Sequence, residues 1–290
     1  MERLIQQQLL QHYESNPAVI SVSAVSNPTR FSPLTDAFDL LLLIVTDQSE
    51  QSHSLYHYIK DGYRIQERWI GTNDLESGLL TGDNRRLIQW ILKGDIVLDR
   101  GLFMERLRHK LLEFPIELRE RKLFAEFNHF LHSYLQAKQY LQEEQTLDAY
   151  SSTLEALHHW ARIVIIEEGY HPELSVWAHV KRVNPGVYKL YEELTLSTET
   201  LAQRVELVLL ACEFSVMSKM ESCCSLLVRL LEKREEPWTV EDLQCEPDLA
   251  LTHADLSLLL NKLVRKSLIK EVAVMGDADL THLELKYTKI

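Results

Sequence analysis

The sequence predicts an α+β fold in three regions: a small mixed sheet with helices, then a helical bundle, then a winged helix. Three observations carry this reading. Short β-branched and aliphatic runs alternate with helical patterns up to about residue 112, helical periodicity continues with no strand signal to about residue 233, and the last segment reads helix, helix, strand, strand. The domains expected are therefore 1–112, 113–236 and 237–290. With 290 residues, 46% of them hydrophobic, the chain can bury more than one core.

The amino-terminal "MERLIQQQLLQHYE" is an amphipathic helical pattern broken by Gln, so it lacks the apolar core of a signal peptide. "AVISVSAV" and "FDLLLLIV" follow as strands. The run Leu40 to Val45 is the longest apolar stretch and has strand length, so no membrane span and a cytoplasmic location are expected. "HSLYHYI" and "YRIQERWI" flank a Lys60-Asp61-Gly62 turn and make a hairpin. "NRRLIQWIL" reads as a helix opened by Asp83 or Asn84 and stopped at Gly94, before a short strand "DIVLD" and a helix from about Leu102.

In the middle region Phe124, Phe127, Leu131 and Leu135 form one apolar stripe, and Leu154, Leu157, Ile163 and Val164 continue it on a second helix. Asn184-Pro185-Gly186 breaks the pattern. Residues Ser197 to Thr200 offer caps for a long helix whose Leu207, Leu210, Phe214 and Met217 are expected to face the core. In the last region Trp238 to Leu243 is a short helix, Thr252 is the expected cap of "HADLSLLLNKLVRKS", and "LIKEVAV" pairs with "LTHLELKYTKI" across Gly276-Asp277.

Charge excludes some classes of function. A net charge of -12 argues against general affinity for phosphate backbones, so nucleic acid is not an expected partner. The expected recognition helix carries Lys262, Arg265 and Lys266, yet from Trp238 onward there are nine Asp and Glu against six Lys and Arg. That balance suits a protein contact module better than a DNA reader. Cys212, Cys223, Cys224 and Cys245 have neither C-x-x-C spacing nor a disulfide framework and are read as small core residues. His129, His132, His158 and His159 have no Cys or carboxylate at fixed spacing to complete a metal site.

The stretch "VSAVSNPTRFSPLTDAFDLLLLIV" holds the chemistry. Acids that share a metal pair from one strand must stand at i and i+2, because side chains alternate faces. Asp39 opens the aliphatic strand, Ala37 occupies the i-2 position, and Asp36 is one residue out of phase unless a bulge turns it inward. Ser26 ends the first strand and Arg30 follows it. On the later strand, alternation groups Tyr63, Ile65, Glu67 and Trp69 on one face, and Glu67 among its aromatic neighbours is the candidate general base.

This arrangement resembles the polymerase-β type nucleotidyltransferase superfamily, whose motif is Gly-Ser followed by Asp-x-Asp. The whole chain resembles bacterial nucleotidyltransferase-like proteins with an architecture similar to the kanamycin enzyme and an added C-terminal helix-turn-helix domain. The resemblance implies Mg²⁺ and a nucleoside triphosphate as cofactors, with Asp39 and Asp36 as metal ligands and Ser26 and Arg30 as phosphate contacts. It implies a nucleotide or small-molecule acceptor as partner. Here Val25 replaces the motif glycine and Ala37 the first acid. The expectation is therefore a nucleotidyltransferase-like pseudoenzyme, with weakened or lost transfer and a nucleotide-binding or scaffolding role. An active transferase and a winged-helix transcriptional regulator are the alternatives, and a homodimer is left open.

Overall fold

The computed structural model describes residues 11–27, 33–48, 53–81, 85–172, 176–250, 252, 254–275 and 283–290. They form two compact units, Met1–Pro115 and Ile116–Ile290. As the sequence predicts, the class is α+β: a mixed sheet with helices, a helical region and a helix-turn-helix segment with a two-stranded wing.

The first unit is built on five strands: β1 (Val19–Ser26), β2 (Leu40–Thr46), β3 (Leu55–Lys60), β4 (Tyr63–Gly71) and β5 (Asp95–Asp99), in the order β3-β4-β2-β1-β5. β2 is buried at every position, as a central strand covered on both faces must be, and it pairs antiparallel with β1 and parallel with β4. The β3–β4 turn holds Asp61 and Gly62 at φ 50° and 83°, conformations that Asp tolerates and Gly adopts freely. One face of the sheet carries Val22, Ala24, Leu40, Leu42, Ile44 and Ile65 and closes on Tyr13 from the helical turn at 11–14.

Among the described residues the sheet is accompanied by helices α1 (Thr72–Thr81), α2 (Arg85–Lys93) and α3 (Phe103–Glu113). The first was not expected, since "TNDLESGLLT" has a weak apolar period. The expected caps of α2, Asp83 and Asn84, lie outside the described residues. Its end is at Gly94 as expected. A Cβ there would stand 2.6 Å from the carbonyl oxygen of Trp90, and the Arg108 side chain donates to the carbonyls of Ile91 and Gly94 at 2.9 and 2.6 Å. Those bonds satisfy acceptors that a helix end leaves open.

The second unit is helical. α4 (Ile116–Gln142) and α5 (Thr146–Glu167) pack along their length, followed by α6 (Val176–Val183), α7 (Pro185–Leu196) and α8 (Leu201–Ser215). Phe124, Phe127 and Leu131 are fully buried, with Leu157, Ile163 and Val164 facing them from α5, as the two stripes require. Asn184 caps α7 through its side chain, with Pro185 at the first helical position. Thr200 and Gln203 form a capping box on α8.

On α8 the core face differs from expectation. Val205, Val208, Leu209 and Cys212 are buried, whereas Leu207, Leu210 and Phe214 are 47%, 60% and 83% exposed. Both stripes have helical spacing, and Val205-Val208-Cys212 is the one that meets the bundle.

Short helices α9 (Met220–Cys223) and α10 (Ser225–Leu231) lead to α11 (Val240–Cys245), α12 (Pro247–Ala250), α13 (Leu256–Arg265) and the wing, β6 (Lys270–Met275) with β7 (Leu283–Thr288). The first helix starts at the Thr239 cap, and Trp238 instead exchanges backbone hydrogen bonds with Tyr287 at 2.7 and 2.8 Å. Asp255, not Thr252, caps α13: its carboxylate accepts from Ser257 and Leu258, while the Thr252 hydroxyl donates to the carbonyl of Leu249. Leu243, Leu249, Leu256, Leu259, Leu260 and Leu263 share one core with the bundle. Among the described residues no helix is long and apolar enough to cross a membrane.

Candidate functional site

Ser26 and Asp39 are brought to one end of the sheet. Ser26, the exposed last residue of β1, pairs with Leu40, the first residue of β2, and the Asn27 N–H donates to the Asp39 carbonyl at 3.0 Å. The backbone arrangement differs from the strand register expected for the acids. β2 begins after Asp39, and residues 33–37 form a turn in which Asp36 and Ala37 are left-handed at φ 50° and 63°. Neither is on the strand, so the alternation argument does not apply to them, and an acid at position 37 would not share a face with Asp39 by strand phase. Arg30 lies outside the described residues.

Each candidate carboxylate already has a partner. Asp36 accepts from Arg86 on α2 at 2.6 Å. Asp39 accepts from the backbone N–H of Arg64, the second residue of β4, at 2.8 Å, while its own N–H donates to the Arg64 carbonyl at 3.0 Å. Glu67 accepts from the Tyr13 and Tyr58 hydroxyls through the same oxygen, the latter at 2.6 Å. Burial first, and then the bonds to Glu67, push both phenols well above the ordinary tyrosine range.

These acids do not converge. Glu67 stands opposite Leu42 and, with Ile65 and Trp69, belongs to the face closed by Tyr13, as alternation predicts. It is three residues along β4 from Arg64, about 10 Å by strand rise. A metal pair about 4 Å wide needs its carboxylates around a common point. Among the described residues no cluster of three His, Cys, Asp or Glu could hold a metal ion. The opposite face of β4 carries Arg64 over the Phe38 ring at 5.0 Å and Arg68 over Trp90 at 5.1 Å. A cavity of about 260 Å³ there is lined by His53, Arg68, Asp74 and Trp90 and includes none of the candidate residues.

A larger cavity, about 530 Å³, lies within the helical unit. Ser151, Glu155, His158 and His159 of α5 line it at helical spacing, with Trp177 of α6 and Tyr191 of α7 opposite. The Trp177 and Tyr191 rings stack with centroids 4.1 Å apart, and His158 meets Trp177 edge-on at 6.1 Å. His159 bonds through Nδ1 to Glu126 at 2.8 Å, and Glu126 also takes the Arg162 guanidinium at 2.5 Å. Sequence spacing missed this Glu–His pair because its members come from different helices, 33 residues apart. His129 stacks on His159 at 5.1 Å, an interhelical role.

Comparison with known proteins assigns both units. A nucleotidyltransferase-like family profile matches residues 1–119, a "YgxA-like substrate binding domain" matches 120–219, and a helix-turn-helix domain matches 225–279. The Bacillus subtilis (strain 168) protein YgxA, described as uncharacterised, is 34% identical over 280 residues, covering 96% of this chain and 95% of that protein. The crystal structure of a nucleotidyltransferase-like protein from Exiguobacterium sibiricum 255-15 superposes with a TM-score of 0.87 at 30% identity, covering 98% of each chain. The chain thus belongs to the YgxA family of nucleotidyltransferase-like proteins, with a substrate-binding helical domain and a C-terminal helix-turn-helix domain.

Proposed function

We propose that the chain is a nucleotidyltransferase-like pseudoenzyme: it holds a small ligand in its helical region and has weakened or lost metal-dependent nucleotidyl transfer. The commitment of all three candidate carboxylates to protein partners carries this reading. Asp36 is neutralised by Arg86, Asp39 holds β2 against the start of β4, and Glu67 is enclosed by two phenols. Recruiting Mg²⁺ would require Asp39 to give up a hydrogen bond to a backbone donor and Asp36 its ion pair, and lone carboxylates hold Mg²⁺ poorly without further help. Ser26 and Arg30 remain the candidate contacts for a nucleotide's phosphates.

Two measurements on the full chain test this. Pyrophosphate release from each of the four nucleoside triphosphates with Mg²⁺ should stay at the uncatalysed background in the wild type and in Asp39→Asn. Nucleotide binding by calorimetry should be weak and should not tighten when Mg²⁺ is added. Sustained turnover that Asp39→Asn abolishes would establish the active transferase instead, and Mg²⁺-dependent binding lost in Asp36→Asn would overturn the commitment of these carboxylates to protein partners.

A further inference from the structure

We infer that the 530 Å³ cavity of the helical unit binds a small organic cation, an ammonium group carried on a compact or planar body. This rests on the reading that the helical region is where the chain holds its ligand, and it adds the ligand's chemistry.

The lining selects the sign of charge. Aromatic faces carry negative potential and attract cations by about 0.5–2 kcal/mol. Trp177 and Tyr191 line one side with stacked rings, His158 meets Trp177 edge-on from α5, and among the described lining residues the carboxylate is Glu155, on the α5 turn before His158 and His159. No Lys or Arg is among the described lining residues. The nearby Arg162 is consumed by Glu126 at 2.5 Å. A phosphate or carboxylate ligand would therefore meet one acid and no compensating cation, whereas an ammonium group meets Glu155 and the rings. The same aromatic row already takes a cation of the chain's own: Lys181 sits 4.8 Å over Tyr188, whose ring neighbours Tyr191 at 6.4 Å.

Among the described residues the polar groups are arranged for binding, with no hydroxyl hydrogen-bonded to the His159 ring. A carboxylate only accepts, so the Glu126 bond places a proton on Nδ1 of His159 and leaves Nε2 as an acceptor in the neutral ring. A hydroxyl nucleophile would have to touch that ring. Ser151 and Ser152 precede His159 by about two helical turns, roughly 10–12 Å along the axis. His159 is then a contact for a ligand N–H, and Glu126 is the residue that positions its ring.

Calorimetry on the full chain with three probes of one shape tests the assignment: benzyltrimethylammonium, benzyl alcohol and phenyl phosphate. The ammonium probe should bind about tenfold or more tightly than the other two. Trp177→Leu and Glu155→Gln should each weaken it by about tenfold, while Tyr191→Phe, which keeps the ring face, should leave it near the wild type. Unchanged thermal unfolding of each variant separates lost binding from lost folding. Tighter binding of phenyl phosphate, lost in Trp177→Leu, would overturn the cationic class and leave a ligand site in the helical region. Absence of binding by every probe, or ammonium binding indifferent to both Trp177→Leu and Glu155→Gln, would overturn the assignment of this cavity. Neither result bears on transfer, which the pyrophosphate measurement decides by itself.

Discussion

Glu67 is surrounded by donors from the protein itself. Two phenol hydroxyls converge on one of its oxygens, and the indole N–H of Trp69 lies 3.5 Å from the other. A general base needs a lone pair facing its substrate, and here the lone pairs face the protein. Strand alternation was enough to place Glu67 among Tyr63, Ile65 and Trp69, but Tyr13, 54 residues away, could be found only from the folded chain. The cysteines give a sharper test at this scale. Burial pushes the thiols of Cys212 and Cys223 up to about 12 and that of Cys224 well above its ordinary value, while Cys245 is exposed. The thiolate is the reactive form, so titration of the native chain with a chromogenic disulfide at neutral pH should release one equivalent rapidly. The denatured chain should release four, the full count. Rapid reaction of a second native thiol would contradict the packing of α8 or α9.

Secondary elements were largely legible because period and punctuation agree with burial. β1 to β5, α2 to α8 and the wing all lie where alternation, helical spacing, Gly94, Asn184-Pro185 and Thr200 place them. What was not legible depends on partners distant in sequence. The phase of Asp36 could not be read: Pro33 signals an irregular entry to β2, but nothing local specifies that Asp36 and Ala37 are both left-handed. The core face of α8 was misassigned for a related reason: "LAQRVELVLLACEFS" offers two apolar stripes, and the bundle takes the one with smaller side chains. The consequence can be measured. Leu209→Ala removes a side chain that is 4% exposed and should cost about 2–5 kcal/mol in denaturant unfolding. Phe214→Ser removes a larger ring that is 83% exposed and should stay within about 0.5 kcal/mol of the wild type. Equal losses would mean that the Phe214 face is covered in solution.

At the scale of the whole chain, the C-terminal segment belongs to the bundle's core and is tied to it by charge. Arg121 pairs with Asp248, and Lys233 with Glu246 at 3.6 Å. Asn128, with its amide oriented to match, exchanges hydrogen bonds with the Asp255 backbone at 3.2 and 2.9 Å. Lys262, on the helix that would read a major groove, instead lines a small cavity with Tyr134, Lys138 and Glu213 of the bundle. Near the groove-facing end that leaves Arg265, Lys266 and Lys270 exposed, against Glu271 on the adjoining strand and a segment with three more acids than bases. Three phosphate contacts would give a salt dependence of slope about −3 at most, and the neighbouring acids oppose even that. Titrating the full chain with random-sequence duplex at low salt should accordingly show no saturable binding. Submicromolar affinity that falls with salt more steeply than slope −3 would require cations beyond these and would make the helix-turn-helix a DNA reader, with the acidic wing turned away from the duplex.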